Sequence, residues 1–202
     1  MKPESIAFAV GGMLFGLLAG WIIGSQQTGT AAPPAAAQNP APSAQAAPAA
    51  PPLDEAQASA LRTAAEREPS NVAPRVQLGN LYFDAERFAE AITWYAAALA
   101  LAPRDVNVST DLGVSYYYTD QPDRALEQFA HSLSIEPNHT KTLLNLGIVR
   151  AFGKQDLEGA ESAWTRVVEL SPESAEGQAA RRALDSLRTA HPPGGPAAGP
   201  GA

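Results

Sequence analysis

The sequence predicts an all-α fold, an α-solenoid of three helical hairpins with a capping helix at each end and one further apolar helix near the N-terminus. Three observations predict the hairpins. A pattern about 34 residues long runs three times between residues 72 and 174. Each copy holds two apolar stripes at helical spacing, and a short polar turn separates them. A single hairpin cannot bury its apolar face alone, whereas about three stacked hairpins can.

The same residue types recur in the same columns of the three copies. They are Leu78-Gly79, Leu112-Gly113 and Leu146-Gly147, then Tyr82, Tyr116 and Arg150, then Ala91, Ala125 and Ala160, then Tyr95, Phe129 and Trp164, then Pro103, Pro137 and Pro172. We expect Gly and Ala to let two helix backbones approach closely, with the aromatic ring filling the space beside them. The proline ends each pair, because it lacks an N–H and clashes with a continuing helix.

This order of residues resembles the tetratricopeptide repeat (TPR) family over about half of the chain, with repeats at 72–105, 106–139 and 140–174. The sequence departs from the family pattern in a few columns. Arg75, Ser109 and Leu143 replace the Trp that often opens the first helix, and Arg150 replaces the third Tyr. The third turn carries one extra residue between Phe152 and Gly159. We expect these departures to change turn geometry and not the fold.

The resemblance implies a protein or peptide partner, because the first helices of the hairpins line a concave groove in this family. The candidate groove residues are Asn80, Phe83, Asp84, Asn107, Thr110, Val114, Tyr117, Tyr118, Lys141, Leu144, Ile148 and Phe152. The four aromatic residues among them form a possible anchor set for a peptide or loop. The alternative is that they fill the interface between hairpins.

One subset of the family binds the C-terminal carboxylate of chaperones with Lys and Asn side chains. Asn80 and Lys141 match two of those columns. Val76, Asp111 and Asn145 do not match, and Asp111 would repel a carboxylate. We therefore do not predict this activity.

Residues 6–24 are predicted to form a transmembrane helix. Ile6 to Ile23 contains no charged residue, and such a helix of about 27–29 Å just spans a hydrocarbon core. Lys2 then places residues 1–5 in the cytoplasm and the repeats on the extracytoplasmic, periplasmic side. A cleaved signal peptide and a buried soluble helix are the alternatives. Glycines recur every fourth residue on one helix face, which favours self-association; they are Gly12, Gly16, Gly20 and Gly24.

The rest of the chain divides by composition. Residues 25–52 form an Ala/Pro-rich linker that we expect to be disordered, because Ala and Pro take 18 of its 28 positions and cannot bury enough apolar surface. Residues 53–190 form the repeat domain, and residues 191–202 a disordered tail. Helices over 54–68 and 172–190 are predicted to cap the stack. Their predicted inward residues are Ala56, Ala60, Leu61, Ala64 and Ala65, and Ala175, Ala179, Ala183, Leu184 and Leu187.

No pattern in the sequence indicates catalysis. The chain contains no Cys, its three His residues are scattered, and no metal-ligand spacing or phosphate-binding loop occurs. The net charge of −7 argues against a nucleic-acid partner, which requires a basic surface. We therefore predict no cofactor, no metal site and no enzymatic activity.

The sequence thus predicts a membrane-tethered, non-enzymatic scaffold or adaptor that binds a protein or peptide in its groove, in a bacterial envelope assembly process. Two alternatives stay open. The third repeat is similar to the final repeat of apocytochrome-binding modules in cytochrome c maturation. A structural homo-oligomer, self-assembling through the glycine face and the groove, is the other.

Overall fold

The computed structural model describes residues 50–190, which form eight α-helices and one π-helical segment, with no strand in that range. The helices are α1 (Glu55–Arg67), α2 (Ala73–Asp84), α3 (Phe88–Leu101), α4 (Val106–Tyr118), α5 (Pro122–Ile135), α6 (Thr140–Ile148), α7 (Leu157–Leu170) and α8 (Ala175–Ala190). The π-helical segment, Val149–Gly153, continues α6. Each of the pairs α2/α3, α4/α5 and α6/α7 packs as a hairpin, which confirms the predicted solenoid.

Aspartate side chains cap three of the helices at their N-termini. Asp54 accepts a hydrogen bond from the Gln57 N–H at 2.9 Å, and Asp105 one from Val108 at 3.0 Å. Asp156 does the same for α7, accepting from Gly159 at 2.9 Å. These caps satisfy N–H groups that have no partner inside the helix.

The Leu-Gly, Ala and aromatic columns pack inside each hairpin, as predicted, whereas Pro103, Pro137 and Pro172 are exposed. Gly113 lies so close to Phe129 that a Cβ atom at this position would be 2.5 Å from the ring. Gly79 faces Tyr95 and Gly147 faces Trp164 with the same close approach. The glycine is therefore required because the backbone of the first helix rests directly on the aromatic ring of the second.

The turns inside the hairpins share one geometry, with a non-glycine residue at positive φ. In the second hairpin this residue is Asp120, with φ of 58°, and the Gln121 N–H donates to the Tyr116 carbonyl at 2.9 Å. The third hairpin carries its extra residue in the π-helical segment, where the Lys154 N–H donates to the Val149 carbonyl at 3.1 Å. The π-helical turn that accommodates the extra residue is thus at the end of the first helix, and it begins before the predicted segment between Phe152 and Gly159.

The buried apolar residues form two clusters along the stack. The first lies in α1 and the first two hairpins and includes Tyr95 and Phe129. The second lies in the third hairpin and α8 and includes Trp164. Residues of neighbouring hairpins join the two clusters: Val149 of the third hairpin packs into the first cluster, and Leu133 of the second packs against the second.

The capping helices exist as predicted, and their buried faces agree with the predicted ones in part. In α1 the predicted Ala65 is buried together with Ala58, whereas the predicted Ala56 and Ala60 are exposed. In α8 the predicted Leu184 is buried together with Gly177 and Ala180, whereas the predicted Ala175 is exposed. The helices are alanine-rich on several sides, so the contact with the neighbouring hairpin selects the face.

Several sequence predictions fall outside the described residues. These are the transmembrane helix at 6–24 with Gly12, Gly16, Gly20 and Gly24, the linker up to residue 49, and the tail at 191–202. Within residues 50–190, none of the helices combines the length and the apolar character needed to cross a bilayer.

Candidate functional site

We define the inner face as the surface formed by the first helices of the three hairpins: α2, α4, and α6 with its π-helical segment. Two direct links join α4 to α6. The Lys141 ammonium contacts the Asp111 carboxylate at 2.6 Å, and the Thr110 and Thr142 hydroxyls lie 2.6 Å apart. The resemblance to TPR proteins implies that this face is the binding surface.

An aromatic cluster lies where α2 and α4 end. The Tyr118 ring stacks on Phe88, with ring centroids 4.4 Å apart, and meets the Phe83 ring edge-on at 6.3 Å. Phe83 also packs edge-on against Phe88 at 5.3 Å, and Tyr117 lies 5.9 Å from Tyr118. We call Phe83, Phe88, Tyr117 and Tyr118 the aromatic edge.

The aromatic edge joins the first two hairpins and also presents apolar surface. The rings of Phe83 and Tyr118 fill the space between hairpins, as the alternative interpretation of the sequence proposed. Tyr118 nevertheless remains 42% exposed. Phe88, which no groove column contains, completes the cluster from the start of α3. Phe88 directly follows the turn between α2 and α3, and this position in the sequence could have identified it.

Phe152 lies apart from this ring cluster, on the π-helical segment, and is 49% exposed. The next residue, Gly153, packs against Tyr117, so that a Cβ atom there would lie 3.3 Å from the tyrosine ring. The third hairpin thus meets the aromatic edge through Tyr117. Burial raises the pKa of the Tyr117 and Tyr118 hydroxyls above the ordinary value.

The centre of the inner face is polar. The Tyr95 hydroxyl donates to the Asn80 side-chain oxygen at 2.8 Å. Burial raises the pKa of Tyr95 first, and the negative charges of Asp111 and Asp84 raise it further. Burial also raises the pKa of Asp111, and outweighs the opposite effect of Lys141. Burial is therefore the main cause of both shifts, and the two carboxylates add to it only at Tyr95.

The structure places six of the remaining candidate groove residues in two environments. Asn80, Asp84 and Asn107 are exposed. Val114, Leu144 and Ile148 are half-buried against the apolar clusters.

Thr110 is completely buried, and its hydroxyl donates to the Val106 carbonyl at 2.7 Å. Its hydroxyl oxygen also lies 2.6 Å from that of Thr142. Thr110 therefore links α4 to α6 and is not available to a partner, which corrects its assignment to the groove surface.

The described residues contain no group of acidic or histidine side chains that could hold a metal ion. His131 bonds to the Pro103 carbonyl at 2.9 Å, and His139 to the Thr142 hydroxyl at 2.7 Å. His131 therefore joins two parts of the helical stack, whereas the bond of His139 lies within the start of α6. His191 lies outside the described residues.

Solved structures with the same fold include TPR domains of very different origin. The first TPR domain of Spaghetti (RPAP3) bound to the HSP90 peptide SRMEEVD is 24% identical, with a TM-score of 0.51, and the match covers 68% of this chain and 95% of that one. The second TPR domain of human RPAP3 in complex with the HSP70 peptide SGPTIEEVD is 18% identical, with a TM-score of 0.51 and coverage of 56% and 92%. MamA is 15% identical, with a TM-score of 0.55 and coverage of 65% and 85%.

Sequence comparison gives the family. No curated protein matches the chain. The similarity to cytochrome c maturation modules stays a prediction that none of these comparisons tests. Residues 54–190, more than half of the chain, match the model of the Cilia and flagella-associated protein 70 middle TPR-like domain. The chain therefore belongs to this family of TPR-like domains.

Proposed function

We propose that this chain is a protein-interaction adaptor whose TPR domain holds a peptide segment of a partner protein on its inner face. The exposure of two aromatic side chains carries this proposal. Three large hydrophobic side chains are exposed within residues 50–190, namely Leu101, Tyr118 and Phe152. Two of these three lie at the ends of first helices, in predicted groove columns. Exposed apolar side chains grouped on one face are typical of interaction sites.

The solved neighbours support the same interpretation. The two RPAP3 domains are bound to short peptides from HSP90 and HSP70. A peptide on the inner face of this chain would place apolar side chains against Tyr118 and Phe152. Its backbone could bond to the exposed amide of Asn107. Aromatic anchors of this kind commonly contribute about 2 kcal/mol or more each to binding.

The test is capture of the partner with variants of the full chain as bait. Tyr118→Ala and Phe152→Ala remove the two exposed inner-face rings, and Leu101→Ala is the matched control on α3, because Leu101 is 41% exposed. We expect a protein retained by the wild type and by Leu101→Ala to fall at least about tenfold with the two ring variants. Equal retention by all four proteins, or equal loss with Leu101→Ala, would reject the inner face as the site.

We further propose that residues 6–24 tether the adaptor to a membrane, with the TPR domain on the extracytoplasmic side. The uncharged stretch from Ile6 to Ile23 and the single Lys2 before it support this proposal. Carbonate extraction should leave the full chain in the membrane and release a variant that lacks residues 1–24. An added protease should digest the TPR domain only from the extracytoplasmic side. Release of the full chain by carbonate would reject the tether.

The finer roles are proposals from the sequence alone. One such role is to act in an envelope assembly complex, for example by binding apocytochrome in cytochrome c maturation. The identity of a captured partner would test this role. Self-association through Gly12, Gly16, Gly20 and Gly24 is the alternative role. Replacing Gly16 and Gly20 with Leu should reduce crosslinked dimer in membranes, and an unchanged yield would remove this alternative.

A further inference from the structure

We propose that Asp111 is a specificity-determining residue of the inner face. Its carboxylate forms an ion pair with the Lys141 ammonium, so that Lys141 does not bind the carboxylates of an acidic peptide. This inference rests on the proposed peptide-binding function and names the class of peptide that the inner face takes. That class is a segment without clustered carboxylates, which sets this chain apart from the domains that bind SRMEEVD and SGPTIEEVD.

The first argument is the geometry of the pair. The Lys141 ammonium lies 2.6 Å from Asp111 across the gap between α6 and α4. The Asp111 side chain is only 22% exposed, whereas Lys141 is 43% exposed. The carboxylate is therefore fixed by the helix packing beneath the cation. A carboxylate from outside would have to displace it or approach against its charge.

The second argument is that the other cations on the first helices are already engaged. Arg75 on α2 donates to the Asn71 carbonyl at 2.7 Å and to the Ala65 carbonyl at 3.2 Å. Arg150 on the π-helical segment lies 3.7 Å from Asp156. Lys141 is the one cation in the set of candidate groove residues, and the Asp111 carboxylate offsets its charge.

The third argument is the charge of the surroundings. Asp84 is exposed on the same face, and it acts together with Asp111 on the Tyr95 hydroxyl. Two carboxylates against one ammonium leave a net negative charge. Like charges brought together at an interface suppress wrong partners. An acidic peptide therefore meets repulsion where a neutral or basic peptide does not.

The experiment measures the binding of fluorescein-labelled SRMEEVD to the full chain by fluorescence anisotropy at neutral pH and low salt. Asp111→Asn removes the carboxylate and frees Lys141. Asp84→Asn is the matched control, since it removes an equal charge from the same face and leaves Lys141 paired. We expect the wild type to bind weakly, Asp111→Asn at least about tenfold more tightly, and Asp84→Asn within about threefold of the wild type. Asp111→Ser serves as a second variant if Asp111→Asn folds poorly.

Three results would overturn the inference: a wild type that binds the peptide as tightly as Asp111→Asn, an equal gain with Asp84→Asn, or no gain with either Asp111 variant. Capture of the natural partner through Tyr118 and Phe152 is a separate measurement. If capture persists while peptide selectivity is absent, the specificity inference fails alone. If capture does not depend on the two rings, the proposed function fails.

Discussion

The two junctions between hairpins are built from different chemistry. The first junction, between hairpins one and two, is aromatic, with Phe83, Phe88 and Tyr118 in mutual contact. The second junction, between hairpins two and three, combines apolar contacts such as that of Val149 with polar links. It contains the buried pair Thr110 and Thr142 and the ion pair of Asp111 with Lys141.

This difference bears on the proposed function. An apolar junction is non-directional, and the Tyr118 ring at its edge is 42% exposed. A polar junction depends on geometry, because each buried hydroxyl needs a partner. Under the proposed function, the first junction would supply one anchor, Tyr118, and the second would supply the charge selectivity.

The largest expected effect comes from the hairpin that both junctions share. Phe129 is completely buried in hairpin two, and Phe129→Ala should lower the free energy of unfolding by about 3–5 kcal/mol. Because hairpins one and three both pack on this hairpin, we expect both junctions to be weakened together. Chemical denaturation measures the effect. Phe152→Ala removes the same ring from an exposed position, and an equal loss there would contradict this account.

Breaking the first junction should cost less. Phe88→Ala removes the ring that stacks on Tyr118, and we expect a loss of about 1–3 kcal/mol in the free energy of unfolding. The Tyr118 ring should become mobile, which its NMR linewidths would report. An unchanged Tyr118 signal would mean that the stacking does not hold the edge together.

Breaking the second junction should reveal coupling between hydroxyl groups. Thr142→Val leaves Thr110 and His139 each without one partner and should cost about 1–2 kcal/mol. The double variant with Thr110→Val should cost less than the sum of the single variants, since fewer buried groups lose a partner. Thr93→Val, at an exposed threonine, is the control and should cost under about 0.5 kcal/mol. Strict additivity would show that the buried hydroxyls do not interact.

The smallest effect is expected from charge. The raised pKa of Asp111 means that the fold favours its protonated form. This stabilising contribution is complete below the ordinary aspartate pKa and is lost as the pH rises through the raised value. At neutral pH, Asp111→Asn should therefore match or exceed the wild type in stability, by up to about 1 kcal/mol, and the difference should vanish in acid. Thermal unfolding between pH 3 and 7, a range chosen to span the aspartate pKa, measures this.

In the same experiment, Glu90 should give the opposite dependence of stability on pH. A hydrogen bond from Arg87 lowers its pKa, so its contribution is present above the ordinary glutamate pKa and is lost as the pH falls. Glu90→Gln should be less stable than the wild type at neutral pH, and the two should converge in acid. The same sign for both variants would contradict the assigned causes.

The sequence predicted the hairpin interiors because those columns have a packing requirement that repeats. Gly113 against Phe129 is one such pair, in which a side chain at the glycine would clash with the ring. The capping helices could not be predicted in the same detail. In α1, alanines at 56, 58 and 60 offer several faces of equal apolarity, so only the neighbouring hairpin decides between Ala56 and Ala58.

The candidate site was predictable by column but not by contact. Thr110 occupies a groove column, yet the close approach of α4 and α6 buries it against another short hydroxyl side chain. Phe88 joins the aromatic edge from the second helix of its hairpin, which no column of the first helix indicates. The pairing of Asp111 with Lys141 spans two repeats, and its distance is visible only in the structure.

The most direct test of the central claim is site-specific photocrosslinking of the full chain in its native cells. A photoreactive amino acid replaces Asn107, exposed on the inner face, or Glu161, exposed on α7. The account predicts a crosslink to a different protein from position 107 and none from position 161. The same crosslinked protein from both positions, or from position 161 alone, would contradict it.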